Sequence, residues 1–190
     1  MRMLGGALLA CIAALSFAAG RAAATSPALP SGGSAMPSAG NAPDAVTVAT
    51  TPKCTTSGLV IWLGSGPSGT AGSTYYNLDF TNLSGHKCSL SGYPGISAVN
   101  LAGHQLGSAA SRDTTGTPSL VTLAAGASAI AVLRIVDAGN FEISACGQTT
   151  AAGLRVYPPN QTASKVVPFP FPACSRTGPT YLSVRAIKHE

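Results

Sequence analysis

From Cys54 to Ile187 the chain runs in short apolar segments broken by turn residues. The clearest segment spans Thr74 to Thr81. There Tyr76, Leu78 and Phe80 share one face of an extended chain, while Tyr75, Asn77, Asp79 and Thr81 share the other. Such strict alternation predicts a half-buried antiparallel strand, with Tyr75 half exposed. Leu59–Leu63 precedes it, ended by Gly64-Ser65-Gly66-Pro67. Further strands are predicted over Ile96–Leu101, Leu120–Leu123, Ser128–Val136, Phe141–Cys146, Leu154–Tyr157, Val166–Phe171 and Tyr181–Ile187. Ala124-Ala125-Gly126 reads as a hairpin link between two of them. About nine short strands at turn-sized spacing, with no helical period, predict an all-β sandwich or barrel.

Val167-Pro168-Phe169-Pro170-Phe171-Pro172 places proline at every second position. In an extended chain alternate N–H groups point to one edge, so three such prolines strip that edge of donors. The segment is expected to be an edge strand that resists sheet-to-sheet aggregation, with Val167, Phe169 and Phe171 packed inward. A polyproline-type docking strip is the functional alternative.

The N-terminus has a different pattern. Arg2 precedes an apolar run from Leu4 to Ala19, and Arg21 is followed by Ala22-Ala23-Ala24. One positive charge, an apolar stretch and a small-residue cleavage site predict a signal peptide over residues 1–24 and a secreted or cell-envelope location. Leu8-Leu9-Ala10-Cys11 offers a second reading, lipidation of Cys11. A retained leader is a third. Membrane association follows only from the latter two. Residues 25–52, rich in Ser, Gly, Pro, Ala and Thr, read as a disordered tether. The domain is placed at 53–190.

Composition fits a turn-rich β protein, because only 9% of the 190 residues are charged, against about 25% in ordinary soluble domains. The formal charge is +5. Loss of Arg2 and Arg21 with the leader leaves nine basic and six acidic side chains, a net +3. The basic residues form no run, which argues against nucleic acid as a partner. Removal of Cys11 leaves Cys54, Cys88, Cys146 and Cys174, hence two disulfides in an oxidising compartment. Three pairings are open. Cys54–Cys88 and Cys146–Cys174 are favoured because each pair is close in sequence and brackets strand-like segments. No C-x-x-C or histidine pair suggests zinc, and a single methionine beyond the leader, Met36, argues against copper. No cofactor is expected.

Catalytic patterns are sparse. Ser84-Gly85-His86-Lys87 matches S-x-x-K but sits in a turn, and that motif needs a helix. His86, His104 and His189 read as solvated surface groups. A carboxylate pair would have to come from Asp79, Asp113, Asp137 and Glu142, and Asp79 alone has a direction set by its strand. Among the aromatic side chains, Trp62 lies between Ile61 and Leu63 and is expected in the core. Tyr75, Tyr93, Tyr157 and Tyr181 could offer ring faces to a ligand, and Tyr75 is the candidate facing outward.

The densest block is Asn82-Leu83-Ser84-Gly85-His86-Lys87-Cys88-Ser89-Leu90-Ser91-Gly92-Tyr93-Pro94-Gly95. Asn82 and Ser84 can bond the local backbone, Gly85 can take positive φ, and Pro94-Gly95 fits the centre of a type II turn. With Tyr75-Tyr76, Phe80, Val121-Thr122-Leu123, Cys146, Leu154-Arg155-Val156-Tyr157-Pro158-Pro159 and Cys174, the block resembles the exported actinobacterial family catalogued as domain of unknown function 4232. The resemblance runs from about Cys54 to Ile187. It implies an immunoglobulin-like antiparallel β-sandwich in the envelope or medium, and carries no catalytic residue. The chain is therefore expected to be a non-enzymatic binding or structural module, with an envelope protein or glycan as partner. A hydrolase of envelope polymers built on Asp79 is the alternative.

Overall fold

The computed structural model describes residues 50–64 and 68–190. The leader with Cys11 and the tether as far as residue 49 lie outside the described residues. In chain order the strands are β1 (Leu59–Leu63), β2 (Ser68–Thr70), β3 (Ser73–Asn82), β4 (Cys88–Ser91), β5 (Gly95–Val99), β6 (Gln105–Leu106) and β7 (Ser111–Asp113). They continue with β8 (Leu120–Leu123), β9 (Ser128–Val136), β10 (Gln148–Tyr157), β11 (Lys165–Cys174), β12 (Leu182–Arg185) and β13 (Lys188–His189). A helical turn, α1 (Ile143–Cys146), precedes β10.

The first sheet runs β1-β3-β9-β12-β7, with β2 on β3 and β13 on β9. The second runs β11-β10-β5-β6, and β4 and β8 form a separate pair. All strand pairs are antiparallel except β12 with β7. The sheets share one core. Leu78 and Phe80 of β3 and Ala129, Ala131 and Leu133 of β9 are wholly buried, as are Leu154 and Val156 of β10. Burying a side chain such as Phe80 contributes about 1.5–3 kcal/mol. Tyr76 of β3 meets the Phe169 ring edge-on at 5.0 Å, and Phe169 stacks on Phe171 at 5.5 Å.

The proline strand lies at an edge: among the described residues, β11 pairs only with β10. Pro168, Pro170 and Pro172 are exposed, while Val167 and Phe171 are buried. The register slips by one between Ala151 and Gly153. A Cβ at Gly153 would collide with the Val167 carbonyl oxygen, so the bulge depends on glycine there. Lys165 donates its Nζ to the Leu59 carbonyl, tying this edge to β1 of the other sheet.

The disulfides join Cys54 to Cys88 and Cys146 to Cys174, the favoured pairing. Three other expectations need correction. Residues 141–146 form a helical turn instead of a strand: the Glu142 carbonyl accepts from the Ala145 and Cys146 amides, and Gly147 at φ 56° ends the turn. A six-residue apolar run fits either period, and here the local bonds decide. Ala124-Ala125-Gly126 is not a hairpin link, because β8 pairs with β4 while β9 pairs with β3. It is a turn that passes the chain between sheets. Trp62 is 46% exposed. Its neighbours Leu59 and Ile61 point inward, and alternation then turns Val60 and Trp62 out. The indole Nε1 donates to the Thr81 hydroxyl across the sheet's outer face.

Candidate functional site

The Gly92-Tyr93-Pro94-Gly95 corner joins the small β4–β8 pair to the second sheet. Its backbone freedom sits at Gly92, with φ 99°. Gly95 has no positive φ and opens β5, so the type II turn expected at Pro94-Gly95 does not form. The space at Gly95 does not demand a glycine either. The residue stands opposite Tyr157 in the ladder, and a Cβ there would lie 3.4 Å from the Cβ of Tyr157 and 3.6 Å from its ring.

Tyr157 ends β10, and Pro158-Pro159-Asn160-Gln161 turns the chain back. The Gln161 amide donates to the Pro158 carbonyl, and Asn160 adopts φ 59°. The Asn160 side chain donates to the Ser91 carbonyl at 3.0 Å, pinning this turn to the end of β4. β7 completes the arrangement: Arg112 holds its guanidinium 5.5 Å from the centre of the Tyr93 ring. Gly92, Tyr93, Arg112, Tyr157, Asn160 and Gln161 thus surround a cleft of about 360 Å³.

The charge in the cleft is one-sided. Asp113 follows Arg112 on β7, so its side chain points the other way. There Asp113 accepts from Arg185 at 2.9 Å. Hydrogen bonds from Thr115 and Arg185 hold its carboxyl down at about 2. Among the described residues no carboxylate lines the cleft.

Tyr93 and Tyr157 are therefore brought together, and the other aromatic candidates are not. Tyr75 is half-buried on the outer face of β3, as its alternation predicts. Tyr181 is wholly buried and donates its hydroxyl to the Leu106 carbonyl at 3.0 Å; burial pushes its phenol up to about 12. The sequence reading missed Arg112, Asn160 and Gln161. The Pro-Pro pair before Asn160 signals a turn, but nothing local signals that it closes on Tyr93.

A model of the family described as domain of unknown function (DUF4232) matches residues 54–188. The chain belongs to the DUF4232 family. No curated protein and no solved structure matches it. Both walls of the cleft, Gly92–Gly95 and Leu154–Pro159, lie within the matched range. The family description assigns no activity, so chemistry has to be read from the residues.

Among the described residues, no two carboxylates line one cleft as a catalytic pair. Asp79 is 3% exposed on what its alternation marks as a polar face. Burial, and then the charge of Glu190, raise its pKa, partly offset by a hydrogen bond from the Gly64 backbone. Asp137 lines a separate cleft of about 200 Å³ with Tyr76 and Phe171, where it caps the Gly139 amide. Ser84 donates its hydroxyl to Asn82, and His86, His104 and His189 are exposed.

A raised folded-state pKa means that the fold favours protonated Asp79. Its contribution is present below the unfolded value of 3.8 and is lost as pH rises through the folded one. Asp79→Asn is therefore expected to raise the melting temperature at pH 7 and to lose that advantage at pH 3.5. Thermal unfolding at the two pH values checks this; an equal shift at both contradicts it.

Proposed function

We propose that this protein is an exported, non-enzymatic module of the cell envelope that binds an envelope saccharide in the Tyr93–Arg112–Tyr157 cleft. The convergence of two tyrosine rings, an arginine fork and amide groups on one open cleft carries the reading. Flat apolar rings with a few directed polar groups suit a sugar, whose faces are apolar and whose rim is hydroxylated. The leader pattern and the two disulfides support export to an oxidising compartment. Membrane attachment enters this reading only through a retained leader or a lipidated Cys11. The burial of Asp79 weighs against a hydrolase of envelope polymers, because a buried carboxyl cannot reach a polymer.

The test is co-sedimentation of the purified full-length protein with an insoluble envelope fraction. Tyr93→Ala combined with Tyr157→Ala is expected to weaken retention about tenfold or more, while Tyr75→Ala leaves it unchanged. Equal retention of the double variant would move the site elsewhere. Retention abolished by protease treatment of the envelope fraction would make the partner a protein.

A further inference from the structure

Five arginines lie among the described residues, and four of them have protein acceptors. Arg134 donates to Ser73, Arg155 to the Gly103 carbonyl, Arg176 to the Ser144 carbonyl and Arg185 to Asp113. The Arg112 guanidinium has no hydrogen bond or ion pair among the described residues and lies instead over the Tyr93 ring. It is also the one arginine that lines the tyrosine cleft.

We infer that the saccharide bound there is acidic, and that Arg112 receives its carboxylate or phosphate. This rests on the saccharide reading above and adds the ligand's charge. A guanidinium held over an aromatic face keeps its N–H edge free, and that planar fork matches two oxygens of a carboxylate or phosphate. The surroundings favour the same sign. Among the described residues no carboxylate lines the cleft, and the neighbouring Asp113 is held in its bridge to Arg185 on the other side of β7. The Asn160 side-chain amide is engaged with Ser91, so it holds the wall in place, while the Gln161 side chain on the same turn lines the cleft with no hydrogen bond among the described residues. A volume of about 360 Å³ lies within the roughly 300–1,000 Å³ of small-ligand clefts. An acidic sugar would lay its ring against Tyr93 or Tyr157 and its anionic substituent against Arg112.

The experiment is calorimetric titration of the full-length protein with three probes: a hexuronic-acid oligosaccharide, its carboxyl-reduced neutral form, and a sugar-phosphate oligomer. At least one acidic probe is expected to bind about tenfold tighter than the neutral one at low salt. That margin should shrink at 0.5 M salt. Comparing the two acidic probes separates carboxylate from phosphate. Arg112→Gln is expected to remove the preference and Arg112→Lys to retain part of it, since a point charge replaces the fork. Arg112 is exposed, so its variants should melt like the parent. If the variants unfold, the salt dependence of the unaltered protein decides.

Equal binding of all three probes, unchanged by Arg112→Gln, would overturn the acidic ligand and leave the saccharide reading standing. Retention on the envelope fraction without any preference for the acidic probes would do the same. Absence of both titration and retention would overturn both.

Discussion

Reduction of both disulfides is expected to unfold the domain at 37 °C. The bonds close loops with separations of 34 and 28 residues. Each then stabilises by about 3–4 kcal/mol on the chain-entropy model. Their joint loss of about 7 kcal/mol is comparable to the whole stability of many domains, roughly 5–15 kcal/mol. The local consequences differ. Cys54–Cys88 fastens the segment before β1 to β4, whose ladder partner is the four-residue β8 and whose Ser89 also exchanges backbone hydrogen bonds with Pro52 and Cys54. A two-stranded unit of that size is marginal by itself. Cys146–Cys174 fastens α1 to the end of the proline-bearing edge strand β11. Thermal unfolding followed by circular dichroism, with and without reductant, should show a drop of about 20 °C or more. A drop under about 5 °C would mean that the sandwich packing alone holds the fold.

Asn82→Asp is the single substitution with the largest expected cost. Asn82 is wholly buried. Its Nδ2 donates to the carbonyls of His86, Leu123 and Ala124 at 2.8, 3.2 and 3.1 Å, and its Oδ1 accepts from the amide and hydroxyl of Ser84. Its backbone accepts from Gly126 and donates to Ala127. One side chain thus joins the end of β3, the turn before Cys88 and the turn after β8. Aspartate would set a carboxylate oxygen among three carbonyl oxygens. The expected loss is about 3–5 kcal/mol at pH 7, the range for an uncompensated buried charge. It should be smaller at pH 3.5, because the fold can hold only the protonated acid there. Ser84→Ala, which leaves the three donor bonds intact, should cost about 1 kcal/mol. Chemical denaturation measures both. A loss below about 1 kcal/mol for Asn82→Asp would show that these turns hold without that side chain.

The expectations that survive have local causes. The Leu120–Leu123 and Ser128–Val136 strands follow from their residues without change of boundary, since β-branched and apolar runs between glycines have few alternatives. The edge position of β11 follows from proline chemistry. The failures share a different cause. Residues 141–146 are too short for their period to separate helix from strand. Trp62 is apolar but lies on the wrong parity, and Asp79 is acidic but is covered. In each case the residue type and the residue's neighbourhood disagree. Of the cleft, Tyr93 and Tyr157 were legible as ring faces, whereas Arg112 looked like one of nine scattered cations.

By itself the chain determined most of its longer strands, the four cysteines available for pairing and the edge that cannot be extended, because each depends on backbone donors, side-chain alternation or covalent chemistry within a few residues. Tertiary structure alone decided which faces were covered, which turn crossed between sheets, and that Arg112 met Tyr93 and Tyr157. Those outcomes depend on where distant strands lie, and a pattern with a reach of a few residues holds no information about a neighbour tens of positions away.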